Sequence, residues 1–357
     1  MGKVRVAVIG VGNCASSLVQ GAYYYRAAKP DQAIPGLVAA VLGDYAVADI
    51  EFSAAFDVDP AKVGRDLSEA IFLKPNNTYR FATVPTVDVQ VSLGRTIDTI
   101  GEMAVGSSSD VARILRESGT DVVVNFLPVR SDQATKWYVE QVLGARCALV
   151  NCAPVSIARE EYWQYRFREE GVPLIGDDVK SQVNAMAVHR VLTRLFRFQG
   201  LKLDRTSQLN IGGNEDLSSL FGRTGDVGSE SAGMGHQGNQ LDYDFGEGNA
   251  YIGPTAQVPW LNDRRWSYIH LAGRTFGDVP FTVELKLESW ESPGSGGLAI
   301  DAARCAKIAM DRGLSGILDG PSALFMTRPP HPCGDDEARG LVEAFLGGGA
   351  STGKEPS

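Results

Sequence analysis

The 357-residue chain is 44% apolar and carries a formal charge of -9, with enough length and hydrophobicity for two ordinary domain cores. That acidic balance, with no long Lys/Arg cluster, excludes nucleic acid and anionic membrane as partners, since both need a concentrated basic surface. The N-terminus runs straight into a strand pattern, no apolar run reaches membrane-spanning length, and Cys14, Cys147, Cys152, Cys305 and Cys333 suggest neither a disulfide framework nor a zinc site, so a cytoplasmic enzyme with reduced thiols is expected.

The first element is an apolar strand, Val4 to Ile9, breaking into Gly10-Val11-Gly12-Asn13-Cys14-Ala15. In this G-x-G-x-x-A turn Gly10 permits the tight bend, Gly12 lets a pyrophosphate approach the backbone and Ala15 lets the next helix sit close to its strand. Alone the pattern also fits a turn that binds nothing. A helix is predicted over Ser16 to Ala28, stopped by the turn residues from Pro30 to Gly36, and residues 29–50 form an excursion. Phe52 to Phe56 is a second buried strand ending at Asp57, where a dinucleotide fold places an acid for the ribose hydroxyls. The alternative for Asp57 is a turn former ahead of Asp59-Pro60.

Asp121 to Pro128 and Ala148 to Pro154 repeat one design: a short apolar strand, then Asn, then a proline stop. Such strands suit a parallel sheet buried on both faces, whose ligands bind just past the C-terminal ends. Asn125 and Asn151 are therefore cofactor-edge candidates, unless they bond only to their own loops. Pro173 to Gly176 is another strand, followed by Asp177-Asp178-Val179-Lys180-Ser181-Gln182. Beyond it Val183, Met186, Ala187, Val191, Leu192 and Leu195 recur at helical spacing, which puts the acids at a helix start and Lys180 to Gln182 in its first turns. Free N–H groups, an ammonium and a hydroxyl would converge there on a phosphate; an ordinary Asp cap with an exposed Lys180 is the bland alternative.

From Thr206 the texture changes. Ser207 to Ile211 reads as a strand, Gly212 to Asp216 as a turn, and residues 222–250 as a long glycine-rich loop. Trp266 to Leu271 and Phe281 to Trp290 are strands of a half-buried sheet or an oligomer face. Helices are predicted over Ala299 to Arg312 and Glu337 to Leu346, and the tail 347–357 has no packing signal.

Taken in order, Val8-Ile9-Gly10-Val11-Gly12-Asn13-Cys14-Ala15-Ser16-Ser17-Leu18, Ala55-Phe56-Asp57-Val58-Asp59, Asn76-Asn77-Thr78, Asn125-Phe126-Leu127-Pro128-Val129, Gly176-Asp177-Asp178-Val179-Lys180-Ser181-Gln182, Asn210-Ile211-Gly212-Gly213-Asn214 and Ser292-Pro293-Gly294-Ser295-Gly296-Gly297 resemble the myo-inositol-1-phosphate synthases, particularly their shorter bacterial and archaeal branch. The resemblance implies an α/β chain. A Rossmann-type NAD domain would comprise 1–203 and 299–346, a second α+β domain for catalysis and tetramer contacts 204–298, and a disordered tail 347–357. It also implies a redox-neutral isomerisation: C5 of glucose 6-phosphate is oxidised by NAD, the C6 enolate attacks the C1 aldehyde, and C5 is reduced again.

Residue by residue, Gly10, Gly12, Asn13, Cys14 and Ala15 match the pyrophosphate loop, Asp57 the ribose acid, and Asn76 and Asn77 further cofactor contacts, with Asn125 and Ala153 at the same edge. Asp178 matches a carboxylate near the nicotinamide. Lys180, Ser181 and Gln182 match the substrate-phosphate turn, to which Asn210 and Asn214 are added. Asp178, Lys180, Lys286 and Asp301 are the candidate catalytic set.

The chain departs from the family where its lysines are expected. No lysine lies between Lys202 and Lys286, where a S-K-x-x-S-K-T segment is normal, and Met326-Thr327-Arg328-Pro329-Pro330 stands for Met-Lys-x-Pro-Pro. A guanidinium stays charged and is a poor proton donor. The departures point to another hexose 6-phosphate. Fructose 6-phosphate oxidised at C5 could close a five-membered ring on C2, a cyclopentane polyol of the kind that precedes carbocyclic nucleosides. Ordinary inositol-phosphate synthesis, with Lys286, Lys307, Arg274 or Arg328 as substitute cations, and a catalytically inactive NAD-binding protein are the alternatives.

Overall fold

The computed structural model describes residues 2–95, 110–183, 185–214, 241 and 243–348, with only the main chain at 254 and 255. It divides into two compact units, Met1–Gln182 with Ser292–Ser357, and Val183–Glu291. No helix among the described residues is long and apolar enough to cross a membrane.

The first unit begins with β1 (Val4–Ile9), α1 (Asn13–Tyr24), a small hairpin of β2 (Val41–Leu42) and β3 (Tyr45–Ala46), β4 (Ile50–Asp57), α2 (Leu67–Ala70) and β5 (Val91–Leu93). It continues through α3 (Val111–Glu117), β6 (Val122–Asn125), α4 (Asp132–Ala145), β7 (Ala148–Asn151), α5 (Glu161–Glu169) and β8 (Pro173–Gly176). The second unit holds α6 (Ala185–Phe198), β9 (Lys202–Gly212), β10 (Ala250–Gln257), β11 (Arg264–Arg274) and β12 (Pro280–Trp290). The chain then returns to the first unit as α7 (Ser292–Asp311), β13 (Gly316–Ile317), α8 (Asp319–Phe325) and α9 (Asp335–Leu346).

In the first unit a seven-stranded sheet runs β13-β8-β7-β6-β1-β4-β5, and each paired neighbour is parallel. The pleat explains the unbroken apolar strands. Along β1, Val4, Val6 and Val8 face Leu18 and Val19 of α1 and Ala303 of α7, while Ala7 and Ile9 face the opposite layer with Tyr138 and Val142 of α4. Both faces are dry, so alternation with polar residues is not required. The chain moves outward from β1 to β4 and β5 on one side and crosses to β6 on the other, so the turn after β1 sits where the strand order reverses.

In the second unit a four-stranded sheet runs β10-β9-β11-β12. Leu203, Leu241, Phe245 and Leu271 form its core with Met186, Leu192 and Phe196 of α6 packed against them. The unit boundaries therefore fall at 182/183 and 291/292, where the resemblance implies 203/204 and 298/299. α6 goes with the sheet it packs on, and α7 starts seven residues earlier than its apolar pattern suggested. The glycines that hid this start serve close packing: a Cβ on Gly296 would lie 2.7 Å from the backbone N of Leu18 in α1.

The excursion 29–50 contains the β2–β3 hairpin, held by a buried arginine. Arg304 of α7 donates to the carbonyls of Ala39, Ala40 and Tyr45 and pairs with Asp301. Of the long loop expected over 222–250, residues 222–240 and 242 lie outside the described residues, as do 349–357 of the tail. Its end is packed: Leu241 and Phe245 are buried in the second unit's core.

Candidate functional site

The glycine turn follows β1 into α1 with Gly12 at the N-cap and no side chain capping the helix. The two glycines answer to different demands. Gly10 has φ +86°, and a Cβ there would lie 3.1 Å from the Phe126 carbonyl oxygen, so the fold itself requires glycine. Gly12 has φ -91° and ψ -160°, which any residue adopts, and a Cβ there would meet nothing within 4 Å. Nothing inside the chain explains its missing side chain. Open space above an uncapped helix N-terminus is what an approaching diphosphate needs.

Three side chains clamp the loop peptide at Val11. Its N–H donates to Asp57 Oδ2 at 2.7 Å, and its carbonyl accepts from Lys62 Nζ at 2.8 Å and Asn76 Nδ2 at 3.0 Å. Asp57 Oδ1 accepts from the N–H groups of Val58 and Asp59. A carboxylate has about four acceptor positions, and these bonds occupy three, so one lone pair on Oδ2 can still take a ribose hydroxyl. Asn13 docks the next segment: its Oδ1 accepts from the N–H groups of Asn77 and Thr78, and its Nδ2 donates to Asn77 Oδ1. Cys14 Sγ lies 3.7 Å from Ser292 Oγ at the start of α7, and Ala15 is fully buried. Gly10, Gly12, Asn13, Cys14, Ala15, Asp57, Asn76 and Asn77 thus form one assembly.

At the C-terminal ends of β6, β7 and β8 the polar groups are mostly engaged with one another. Asn125 Nδ2 donates to Asn151 Oδ1, and Asn125 Oδ1 accepts from the Leu127 N–H. Asn151 Nδ2 donates to Val155 O and to Asp177 Oδ1, and Asp177 also accepts from the N–H groups of Ile157 and Ala158. This buried chain fixes the loop geometry, the local role held open for both asparagines. Cys152, buried beside Cys14 and Asp178, has its thiol pushed well above the ordinary range by burial, which makes it an inert filler.

The two adjacent acids divide their tasks. Asp177 locks the 155–158 loop, whereas Asp178 stands at φ +68° with its side chain 26% exposed. Burial raises the Asp178 pKa to about 6, with Arg328 opposing and Asp177 adding to the rise. Arg328 Nε is 3.4 Å from Asp178 Oδ2. The pairing follows from the backbone: Asp177 N–H donates to Arg328 O, Arg328 N–H to Asp177 O, Thr327 N–H to Asp178 O and Lys180 N–H to Phe325 O. The structure thereby joins two motifs far apart in sequence, Asp177-Asp178 and Met326-Thr327-Arg328.

One expectation of secondary structure is corrected. Lys180, Ser181 and Gln182 are not in the first turns of a helix, since α6 begins only at Ala185 and the stretch before it is zipped to residues 325–328. Lys180 Nζ donates to the Ala323 carbonyl at 2.8 Å and lies 3.7 Å from Asp335 Oδ1, while Gln182 donates to the Gly36 carbonyl. Asp301 is fully buried, with Arg304 on one oxygen and the Val38 N–H on the other. It braces the hairpin segment and has no exposed surface for chemistry. In the second unit, Asn210 bonds to Gln208, Ser267 and the Gly253 carbonyl, and Asn214 to Asp263. Lys286 lies over the Trp266 ring at 4.3 Å and pairs with Glu288.

Sequence reasoning missed Lys62 and Arg304, both buried cations. Their only signal would have been their partners, a loop carbonyl and a helix carboxylate, which sequence spacing does not reveal.

Residues 185–292 match the family model described as myo-inositol-1-phosphate synthase. The chain is 47% identical over 358 residues to the inositol-3-phosphate synthase of Mycolicibacterium smegmatis, covering 97% of this chain and 99% of that one. Among solved structures, Ari2 superposes with a TM-score of 0.81 at 30% identity, covering 97% and 99% of the two chains. The inositol-3-phosphate synthase of Caenorhabditis elegans gives 0.69 at 14% identity, over 98% and 87%, a likeness of fold.

Proposed function

The chain belongs to the myo-inositol-1-phosphate synthase family and is an enzyme of the intramolecular lyase and isomerase class; from that premise we propose that it cyclises a hexose 6-phosphate to a cyclitol phosphate, redox-neutrally and with NAD. Bound NAD would supply the reversible oxidation of the substrate at C5. The residues present fit it: Gly12 leaves the approach open, the uncapped N-terminus of α1 receives the diphosphate, and Asp57 Oδ2 retains an acceptor position for a ribose hydroxyl.

The observation that carries the chemistry is the Asp178–Arg328 pair. A carboxyl with a pKa of about 6 exchanges a proton readily near neutrality. It can take a proton from carbon next to a ketone and return one later. Arg328 remains charged throughout, so its part is to orient Asp178 and stabilise negative charge developing on the substrate's oxygen. Lys180 would exchange its weak pairing with the exposed Asp335 for the substrate phosphate.

For substrate, we place fructose 6-phosphate first. Thr327 and Arg328 stand where the resemblance leads one to expect a lysine-bearing motif, which removes a proton donor suited to the C1 aldehyde of glucose 6-phosphate. With fructose 6-phosphate the C6 enolate adds to the C2 ketone, and the ring formed has five members. The second reading, glucose 6-phosphate to an inositol phosphate, is favoured by the 47% identity to an inositol-3-phosphate synthase over nearly both chains. Incubating the protein with catalytic NAD and each hexose 6-phosphate in turn, followed by phosphorus NMR, separates the two. A cyclic product from fructose 6-phosphate supports the first; inositol phosphate as the only product replaces it with the second. A homotetramer is part of the same proposal, and light scattering in solution checks it.

A further inference from the structure

Lys62 is 3% exposed, and its ammonium is held by two neutral oxygens, Val11 O at 2.8 Å and Asn76 Oδ1 at 2.9 Å. Among the described residues no carboxylate pairs with it. An ammonium removed from water without a counter-ion is expensive, and proteins that bury one normally supply an anion. Among the described residues the carboxylate at the same residue, Asp57, bonds the Val11 N–H and not the ammonium. The carbonyl that Lys62 grips belongs to the residue between Gly10 and Gly12, directly before the open N-terminus of α1. The arrangement puts a positive charge directly on the loop carbonyl that leads into Gly12.

We propose that Lys62 is a positioning residue of the dinucleotide site, whose buried charge is complemented by the cofactor's diphosphate across the Val11 peptide. The inference rests on the assignment of this turn to a dinucleotide. Two effects are combined. By holding Val11 O, Lys62 and Asn76 set the plane of the peptide that leads into Gly12. By its charge, Lys62 favours an anion over a neutral ligand at the same place, and low local dielectric makes that preference larger than a surface lysine could give.

The charge effect predicts a selective loss. In Lys62→Met, and in Lys62→Gln, which retains a donor for Val11 O without the charge, affinity for ADP and NAD should fall about tenfold or more, the scale of one charge interaction at an effective dielectric of about 20. Adenosine, which lacks the diphosphate, should bind either variant as it binds the wild type. Titration calorimetry with the three ligands reads this directly. Asn76→Asp brings a carboxylate onto the ammonium at the cost of the Nδ2 bonds to the Val11 and Ile71 carbonyls; it should show the same ADP-selective loss and serves if the Lys62 variants do not fold. A parallel fall in adenosine and ADP affinity would show a purely structural lysine and overturn the proposal, as would unchanged ADP affinity. If the wild-type protein binds neither NAD nor ADP, the dinucleotide assignment itself fails, an outcome distinct from either.

Discussion

Gly12 and Asp178 separate what the fold needs from what a ligand needs. Because Gly12 has ordinary dihedrals and open space where its side chain would be, Gly12→Val should cost no more than about 1 kcal/mol of stability, the scale of a poorer N-cap residue. NAD binding should be lost, since the isopropyl group occupies the diphosphate's approach; chemical denaturation and calorimetry on the same sample check both halves. Asp178 has a folded pKa raised from 3.8 to about 6. The native state therefore holds this proton more tightly than the unfolded chain does, and native stability falls as pH rises through that window. Asp178→Asn removes the penalty. Relative to wild type it should gain stability between pH 4 and pH 7, by up to about 3 kcal/mol, with the opposing pull of Arg328 already contained in the shifted pKa. Urea unfolding at pH 4 and pH 8 measures the gap, and a gap that does not widen with pH contradicts the assignment. Turnover by the same variant should fall by a factor on the order of a hundred or more, the scale of general acid–base catalysis.

Among the elements, the parallel sheet was legible in the sequence because its strands are short apolar runs with turn residues at both ends, and β1, β4, β6, β7 and β8 lie where those runs lie. α7 and α6 show what was hidden. The Ser292-Pro293-Gly294-Ser295-Gly296-Gly297 stretch is poor in helix formers, yet it is helical because packing against α1 demands small residues there. The acids at 177 and 178 resemble a helix cap in sequence, but their backbone pairs with residues 326–328, a contact that local periodicity cannot register. The candidate site divides in the same way. The glycine turn and Asp57 are local features and could be read directly, whereas the Asp178–Arg328 pair, Lys62 and the burial of Asp301 depend on segments distant in sequence. The Asp301–Arg304 brace yields a further test. Arg304→Met strands a buried carboxylate and three carbonyls, which should cost about 3–5 kcal/mol. Asp301→Asn should leave turnover per folded molecule close to wild type; a loss above about tenfold in a stably folded variant would return Asp301 to the chemistry.

The whole molecule presents a parallel-sheet unit that carries the glycine turn and the Asp178–Arg328 pair, and a second unit built on a mixed four-stranded sheet, parallel between β10 and β9 and antiparallel from β9 through β11 to β12. The reaction proposed for it is one whose oxidation and reduction cancel at one carbon. The most direct measurement follows a hexose 6-phosphate deuterated at C5, turned over with substoichiometric NAD. Deuterium retained at the corresponding carbon of a cyclic phosphate, with no accumulation of NADH, is the expected result. Loss of the label to bulk cofactor, with NADH rising in step with an open-chain product, would mean an ordinary dehydrogenase and contradict the proposed cyclisation.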